Sequence, residues 1–478
     1  MTVKAEATLD VRQLIDDLPL SAFQRTLVFV GFLIVVFDGF DVVVMGYVAL
    51  QLRTDWGISH QALGGVFSAG LVGQALGAMI AGPLADRYGR KGVVALSVLW
   101  FGIWTLATAS ADDVGTMLVF RFLTGLGLGA AMPNASTLVA EYAPARSRSL
   151  MVTITLSGFT VGAAGGGFIS AWMIPAFGWR SMLVLGGLMP FAAAAFFTFK
   201  MPESVSFLIA RDGSRARIRA IVERLAPGIS DEHTAFIWGV AEVPGSSAIR
   251  IVLSAGYRFG TAMLWLGYFC VLFLVYLLSS WLPTIIRENG GYTLSEAAVA
   301  AGMFQIGGPI GSVCIGWLMD RRSKGLVLAA VFLCGAFGTY GLGQVRADFI
   351  MLCFVAGIVG FCMNGGSVGM NALAAAFYPT AARATGTCWM IGIGRVGATV
   401  SAIAGGALLA AGWSSAQVLT ILVIPALVAS VAMLSHRSKE LRLLQDGPEP
   451  VQVSEKAKVG TLRNFGSMGK SREINRVP

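Results

Sequence analysis

Long apolar runs separated by short polar segments make up most of the chain. Twelve of these runs are 19 to 25 residues long, and a helix that rises about 1.5 Å per residue needs about 20 residues to cross a hydrocarbon core of about 30 Å. The predicted spans 1 to 12 cover residues 27–50, 62–84, 92–110, 116–138, 149–173, 179–199, 259–283, 296–319, 325–343, 348–372, 385–409 and 414–435. The pattern therefore predicts an all-α polytopic membrane protein with twelve transmembrane helices.

Composition supports this interpretation. Of the 478 residues, 55% are hydrophobic and only 13% are charged, which is too apolar for a soluble protein of this length. The net charge of +9 is distributed as membrane topology requires: 29 of the 35 lysines and arginines fall before span 1 or after an even-numbered span, and only four lie on the opposite side, in loops or at a span end. By the positive-inside rule we expect both termini in the cytoplasm, and no nucleic-acid partner.

The two halves of the chain repeat each other. The string GPLADRYGRK begins at Gly82 and GWLMDRRSK begins at Gly316, and the register of the two copies predicts two pseudo-symmetric six-helix bundles. The predicted domains are a cytoplasmic segment 1–26, a bundle 27–199, a cytoplasmic linker 200–258, a bundle 259–435 and a cytoplasmic tail 436–478. The tail is expected to be disordered because it lacks apolar periodicity.

Span 1 contains two carboxylates, Asp38 and Asp41 in the string DGFD. Charges near the middle of a bilayer cost several kcal/mol and usually carry protons, ions or substrates. Helical rise places Arg121 of span 4 at the depth of Asp41. A pair would keep Asp41 ionised, whereas burial without the arginine favours the protonated form. We therefore predict that all three residues couple transport to protons. The alternatives are a structural role for the aspartates and snorkelling of Arg121 to the surface.

A second intramembrane arginine, Arg395, lies among glycines in the string GIGRVGA of span 11. A fixed positive charge beside open space suits a carboxylate substrate, because arginine can hold it with two hydrogen bonds. The competing interpretation is a structural pair with an aspartate of span 1. Other aromatic and amide side chains of the spans are predicted to form the rest of the site, because an apolar cleft with aromatic walls and a few polar groups suits a small aromatic ligand. The alternatives for these side chains are helix packing and hydrogen bonding between helices. The other predicted binding residues are Asn134, Asn364, Tyr268, Phe273 and Tyr276.

The repeated loop string predicts a conformational gate. Gly82 is expected to permit close helix approach, Asp86 to pair at a helix end, and the basic residues to bind carboxylates of the neighbouring bundle or lipid phosphates. A plain topology signal is the alternative. The predicted gating residues are Gly82, Asp86, Arg87, Arg90, Glu141, Arg148, Asp320 and Arg383.

The sequence predicts neither an enzyme nor a cofactor. Its three histidines lie in loops or at a span end without a Ser/His/Asp arrangement, and its six cysteines lack metal-ligand spacing. A phosphate-binding loop is also missing, which argues against transport driven by ATP hydrolysis. An ion gradient is therefore the expected energy source.

These motifs resemble the major facilitator superfamily and, within it, the aromatic acid:proton symporter family, especially its bacterial members that take up 4-hydroxybenzoate and protocatechuate. The resembling strings run from about Leu18 to Pro425 and include FLIVVFDGFD, GPLADRYGRKG, RFLTGLGLGAAMPNASTLVAEY, SSWLP, FYPTAARATG and GIGRVGA. The resemblance implies a proton and substrate role for the two DGFD aspartates, and a role in coupling or binding for both intramembrane arginines. The second loop copy, DRRSKG, lacks the Tyr and His residues of some members.

Together, the residues and the resemblance predict a monomeric, multi-pass protein of the bacterial inner membrane that imports a small aromatic acid anion with protons. A hydroxybenzoate such as 4-hydroxybenzoate or protocatechuate is the favoured substrate, and gentisate, benzoate and chlorophenoxyacetate are alternatives. A proton-coupled exporter of aromatic compounds and a membrane sensor are the competing functions.

Overall fold

The computed structural model describes residues 8–211, 214–229, 234–239, 248–288, 291–345 and 348–445. Within these residues, twelve helices are long and apolar enough to cross a membrane, which confirms the predicted all-α polytopic fold. Spans 1 to 6 are the helices Ala22–Trp56, His60–Tyr88, Arg90–Ala109, Val114–Tyr142, Arg148–Phe177 and Trp179–Lys200. Spans 7 to 11 are Arg258–Glu288, Leu294–Arg321, Lys324–Gln344, Phe349–Phe377 and Thr380–Ala410, and span 12 consists of Ser415–Ile421 and Val423–Gln445.

Short elements lie outside the spans. Helix Val11–Asp17 precedes span 1, and helices Val205–Ala210, Arg215–Leu225 and Ala248–Val252 lie between spans 6 and 7. Strand Thr8–Asp10 pairs in parallel with strand Ala235–Ile237, so a two-stranded sheet joins the N-terminal segment to the linker. Of the predicted tail, the last helix continues to Gln445, and residues 446–478 lie outside the described residues. The predicted domain limits stay a prediction.

Capping residues explain where several spans begin and end. Ser21 and Gln24 form a capping box that satisfies backbone N–H groups at the start of span 1. The same helix ends at Gly57, whose φ of 62° lies in the left-handed region that glycine adopts without strain. Thr293 and Glu296 form a second capping box at the start of span 8. These polar caps separate one apolar span from the next.

Successive spans run in opposite directions and define two sides of the bundle. The terminus side is the side on which span 1 begins at Ala22 and span 12 passes His436. The far side holds the turn between Trp56 and His60, and the connection between Glu288 and Leu294.

Three pairs of spans join the two halves of the fold. Span 2 packs against span 11, span 5 against span 8, and span 1 against span 7. In the sequence repeat, span 2 corresponds to span 8 and span 5 corresponds to span 11. The first two contacts are therefore equivalent by pseudo-symmetry, and they bring spans 1 and 7 together at the centre.

Candidate functional site

Both aspartates of span 1 are fully buried. Gly39, one of the two residues between them, faces the backbone of span 5: a Cβ atom there would lie 2.0 Å from the carbonyl oxygen of Phe159. Any larger residue would collide with that backbone, so glycine allows the two helices to approach closely. This contact also fixes the rotation of span 1, and with it the direction in which Asp38 and Asp41 point.

Asp41 forms an ion pair with Arg121 of span 4. Nη2 of Arg121 donates to Oδ2 of Asp41 at 2.7 Å and to its backbone oxygen at 3.2 Å, and Nη1 donates to Oδ1 at 3.3 Å. The hydroxyl of Thr105 in span 3 donates to Oδ1 at 2.7 Å. The Asp41 side chain is fully buried and that of Arg121 is 5% exposed. The contact predicted from matching depths is therefore present, and each charge offsets the burial of the other.

Asp38 has no comparable partner. Neither of its carboxylate oxygens accepts a hydrogen bond from the described residues. Arg395 acts on Asp38 electrostatically, but its Nη1 atom donates to Oε1 of Gln74 at 2.6 Å. Among the described residues, Arg395 therefore forms no direct ion pair with an aspartate of span 1, which was the alternative interpretation. Arg395 instead links span 11 to span 2 across the two halves.

A pocket lies between the halves, beside the Asp41–Arg121 pair. Spans 1, 2 and 4 bound it on one side and span 7 on the other. Its lining includes one guanidinium, one amide and two hydroxyl groups in an otherwise apolar wall with two aromatic rings. The chemistry of this lining matches a small aromatic anion, while its free space of about 30 Å³ has room for only a few water molecules in this state. The lining residues are Val42, Met45, Val66, Phe67, Gly70, Leu71, Gln74, Arg121, Leu128, Tyr276 and Ser280.

Two of the predicted binding residues belong to this region. Tyr276 lines the pocket and lies within electrostatic reach of Arg395. Arg395 reaches the pocket through the amide of Gln74. Phe273 does not line the pocket, because its ring stacks on Phe269 with centroids 6.5 Å apart.

The predicted asparagines and Tyr268 are not among the residues that line this pocket, and in this structure their polar groups make hydrogen bonds within or between helices, so their role in binding stays a prediction. Nδ2 of Asn134 donates to the Ala130 carbonyl of its own helix at 2.9 Å. Nδ2 of Asn364 donates towards span 8, where Oε1 of Gln305 lies 3.3 Å away. The hydroxyl of Tyr268 accepts from an asparagine of span 10 at 3.3 Å. These hydrogen bonds lie within one helix or between two helices, which is the alternative that the sequence left open.

Sequence reasoning missed several residues of the site. Gln74 and Ser280 supply polar groups to the pocket, Phe67 supplies an aromatic ring, and Thr105 holds Asp41. A signal existed for Gln74, which is one of the few polar side chains in the middle of the apolar span 2. Phe67 and Ser280 carry no such signal, because phenylalanine and serine are ordinary residues of membrane helices.

The sequence model of the Major Facilitator Superfamily matches residues 30–342 and 264–472. The chain belongs to this superfamily. The 4-hydroxybenzoate transporter PcaK of Pseudomonas putida is 46% identical over 430 residues, which are 89% of this chain and 95% of the relative. The gallate transporter of Pseudomonas putida is 44% identical over 437 residues, 91% of this chain and 97% of the relative. The prediction of a transporter rather than an enzyme is confirmed.

Solved structures share the major facilitator fold. The inward open conformation of the xylose transporter XylE from E. coli superimposes with a TM-score of 0.67 at 16% sequence identity, covering 86% of this chain and 95% of that chain. At this identity the match concerns the fold, and it agrees with the arrangement of two six-helix bundles.

The predicted gate of this major facilitator protein does not join the halves on the terminus side. A Cβ atom at Gly82 would meet no atom within 4 Å, so the predicted close helix contact at this residue is wrong for this structure. Asp86, Arg87, Asp320 and Arg383 are likewise exposed. The physical reason is conformational, since the side-chain hydrogen bonds that we find between the halves lie at mid-depth or on the far side.

One ion pair of the predicted gate is present, but within the first half. Nε of Arg90 lies 3.0 Å from Oε1 of Glu141, which joins spans 3 and 4. Ser206 donates to the same oxygen at 3.1 Å. Nε of Arg148 is buried without a hydrogen-bond partner among the described residues, so Arg148 takes no part in this cluster. A basic loop residue therefore binds a carboxylate as expected, but not one of the neighbouring bundle.

Glu288, at the end of span 7, closes the far side. Its Oε1 atom accepts a hydrogen bond from Arg53 of span 1 and lies 2.8 Å from Nε2 of His60 in span 2. Deeper in the membrane, the fully buried ring of Trp281 meets the pocket residue Phe67 edge-on, with centroids 5.0 Å apart. Charge and packing thus hold the two halves together between the pocket and the far side.

We expect Glu288→Gln to loosen this closure. The amide keeps the size of the side chain but loses its charge interaction with Arg53. In a background without native cysteines, a cysteine at Ser280 in the pocket should react roughly two- to fivefold faster with an impermeant thiol reagent added from the far side. Asp112→Asn is the matched control, because the Arg180–Asp112 ion pair, at 2.9 Å, lies on the same side but within one half. Unchanged labelling in the Glu288 variant would exclude this role.

Proposed function

We propose that the protein imports a small aromatic carboxylate together with protons, and that a hydroxybenzoate such as 4-hydroxybenzoate or protocatechuate is its preferred substrate. The observation that carries this proposal is the buried Asp41–Arg121 ion pair at the edge of a pocket that Tyr276 also lines. The 46% identity to a 4-hydroxybenzoate transporter supports the substrate class.

The ion pair offers a physical reason for coupling a proton to an anion. While Asp41 is ionised, it satisfies the charge of Arg121, and the buried pair is neutral. A proton on Asp41 leaves Arg121 with an uncompensated buried charge, which a substrate carboxylate can neutralise. The site is thus neutral either empty or loaded with both anion and proton, and a state with only one of them is costly. Arg121 would change partners once in each direction of the cycle.

We further propose that the terminus side is the cytoplasm of a bacterium and that the protein is a monomer in the inner membrane. The excess of lysine and arginine on that side supports this orientation. The structure would then be closed to the periplasm, with Glu288 in the outer gate. In the opposite state the terminus side must close. We propose that four exposed residues of the predicted gate then approach the neighbouring half: Asp86, Arg87, Asp320 and Arg383. The proposed cycle is therefore one of alternating access, in which the halves 27–199 and 259–435 move about the pocket and open it to one side at a time.

Uptake into proteoliposomes tests this function. Labelled 4-hydroxybenzoate should accumulate when the outside is more acidic than the lumen, and a protonophore should abolish the accumulation. Protein-free liposomes in the same gradient give the passive entry of the protonated acid, which is subtracted. Accumulation that ignores the pH gradient would refute symport, and acid-driven efflux would support the exporter instead.

Gallate is the second candidate substrate. It is favoured by the 44% identity to a gallate transporter over 91% of this chain. Competition by unlabelled gallate, protocatechuate, gentisate and benzoate against labelled 4-hydroxybenzoate would rank these acids. Stronger inhibition by gallate than by unlabelled 4-hydroxybenzoate would reverse the preferred assignment.

A further inference from the structure

Gln74 occupies a fixed position in the middle of span 2. Its side chain is 2% exposed and lines the pocket. Its backbone is pressed against span 4, where a Cβ atom at Gly129 would lie 1.9 Å from the carbonyl oxygen of Gln74. Only glycine permits this approach, so span 2 has little freedom to slide or rotate at this point. The amide is therefore presented to the pocket from a rigid support.

Arg395 determines which way the amide of Gln74 faces. Nη1 of Arg395 lies 2.6 Å from the end of the Gln74 side chain, which carries the amide oxygen and the amide nitrogen. A guanidinium group has only donors, so the atom that faces it must be the amide oxygen. The amide nitrogen, with its two N–H donors, then points away from Arg395, and none of the hydrogen bonds found among the described residues has this nitrogen as its donor. Two unused donors therefore remain on a side chain of the pocket wall.

The surroundings of these donors select an anion. The guanidinium of Arg395 brings positive charge to one end of the amide, and Arg121 lines the same pocket. Phe67 and Tyr276 provide aromatic walls. A carboxylate accepts hydrogen bonds and donates none, so it matches an amide NH2 group beside Arg395, and beside Arg121 once Asp41 is protonated, better than a hydroxyl group does.

We propose that Gln74 is a substrate-positioning residue whose amide NH2 group donates to the carboxylate of the transported acid, with Arg395 holding the amide in that orientation. This inference rests on the proposed function, because it assigns one contact within the same site. It also gives Arg395 an indirect role in binding while the far side is closed.

Glutamate and leucine at position 74 separate substrate binding from a purely structural link between the halves. Gln74→Glu retains an oxygen acceptor for Arg395 but has no NH2 group, and Gln74→Leu has neither. If Gln74 binds the carboxylate, the Kd for 4-hydroxybenzoate should rise roughly ten- to hundredfold in both variants, as expected for a lost hydrogen bond to a charged group. If Gln74 only links the halves, the glutamate variant, whose added charge is offset by Arg395, should bind within about threefold of the wild type, and only the leucine variant should be impaired further.

Titration calorimetry on the purified full-length protein is the measurement. Gln24→Glu is the matched control: Gln24 is a buried glutamine at the terminus end of span 1, whose amide bonds to the Tyr142 carbonyl at 2.8 Å, far from the pocket along the helix. It should bind 4-hydroxybenzoate as the wild type does. Affinity of Gln74→Glu within about threefold of the wild type would overturn the inference while leaving the proposed function intact. A wild-type protein that binds no aromatic acid would overturn both.

A second titration identifies the group that Gln74 contacts. Binding of 3-hydroxybenzoate and 4-hydroxybenzoate should weaken by the same factor in Gln74→Glu, because the two acids share the carboxylate and differ only in the position of the hydroxyl group. A loss confined to one of them would assign Gln74 to the ring hydroxyl and refute the carboxylate contact.

Discussion

Replacing Asp41 by asparagine should reduce proton-driven accumulation of 4-hydroxybenzoate to the level of protein-free liposomes, while exchange of labelled for unlabelled substrate is partly retained. Asparagine has nearly the same shape and still offers an oxygen to Arg121 and Thr105, but it takes up no proton. The variant resembles the protonated carboxylate, which in the proposed cycle is the form that leaves Arg121 available to the substrate.

Binding affinity gives a second readout of the same variant. In the wild type, the substrate has to displace the carboxylate of Asp41 from Arg121. In Asp41→Asn this competition is absent, so 4-hydroxybenzoate should bind at least as tightly as it does to the wild type. Clearly weaker binding by the variant, or normal driven accumulation, would refute the proton role of Asp41.

Asp113→Asn is a suitable control for the Asp41 variant. Asp113 lies outside the spans at the start of the helix that carries Arg121, and its carboxylate accepts from the backbone N–H of Thr116 at 2.9 Å. Hydrogen bonds to the charged carboxylate, first from the Thr116 hydroxyl and then from this backbone N–H, lower the pKa of Asp113. Asparagine caps helices about as well as aspartate does. The control should therefore transport normally, which separates loss of a coupling carboxylate from loss of any carboxylate near span 4.

The Asp41–Arg121 contact was predictable because both residues lie on long, regular helices. Helical rise converts sequence position into depth, and two opposite charges at one depth in a bilayer have few other partners. Helix bounds were less accurate: the apolar run predicted span 1 at 27–50, whereas the helix extends from Ala22 to Trp56. The polar ends of a helix leave the hydrocarbon but continue its hydrogen bonds until a cap stops them.

The partner of Arg395 could not be obtained in the same way. Depth alone does not say which face of span 2 meets span 11, and the pairing with Gln74 depends on that rotation. The rotation is set by close backbone approaches such as that of Gly129 in span 4 to span 2, which depend on a glycine without any charge or polarity to mark it. The predicted contact at Gly82 is absent from this structure for another reason, because the sequence of a protein with two states would not specify which one a structure contains.

Arg121→Met should strongly destabilise the protein as well as abolish uptake. The change leaves the Asp41 carboxylate fully buried with the Thr105 hydroxyl, at 2.7 Å, as its main remaining partner. Removing one member of a buried ion pair typically costs about 3 to 5 kcal/mol, because the other charge stays buried without compensation. We expect a clear fall in the apparent Tm of the purified protein, measured by thermal unfolding in detergent.

The double variant Asp41→Asn/Arg121→Met separates the structural role of the pair from its role in transport. Removing the orphaned carboxylate should restore most of the Tm lost in Arg121→Met, since two neutral side chains then replace two charges. Driven uptake should stay at background, because the variant lacks both the Asp41 carboxylate proposed to carry the proton and the Arg121 guanidinium proposed to bind the substrate. Additive losses of stability would show that the two charges do not depend on each other. Recovery of stability without recovery of uptake would mean that this buried pair, costly to assemble in a membrane, is needed for transport rather than for folding.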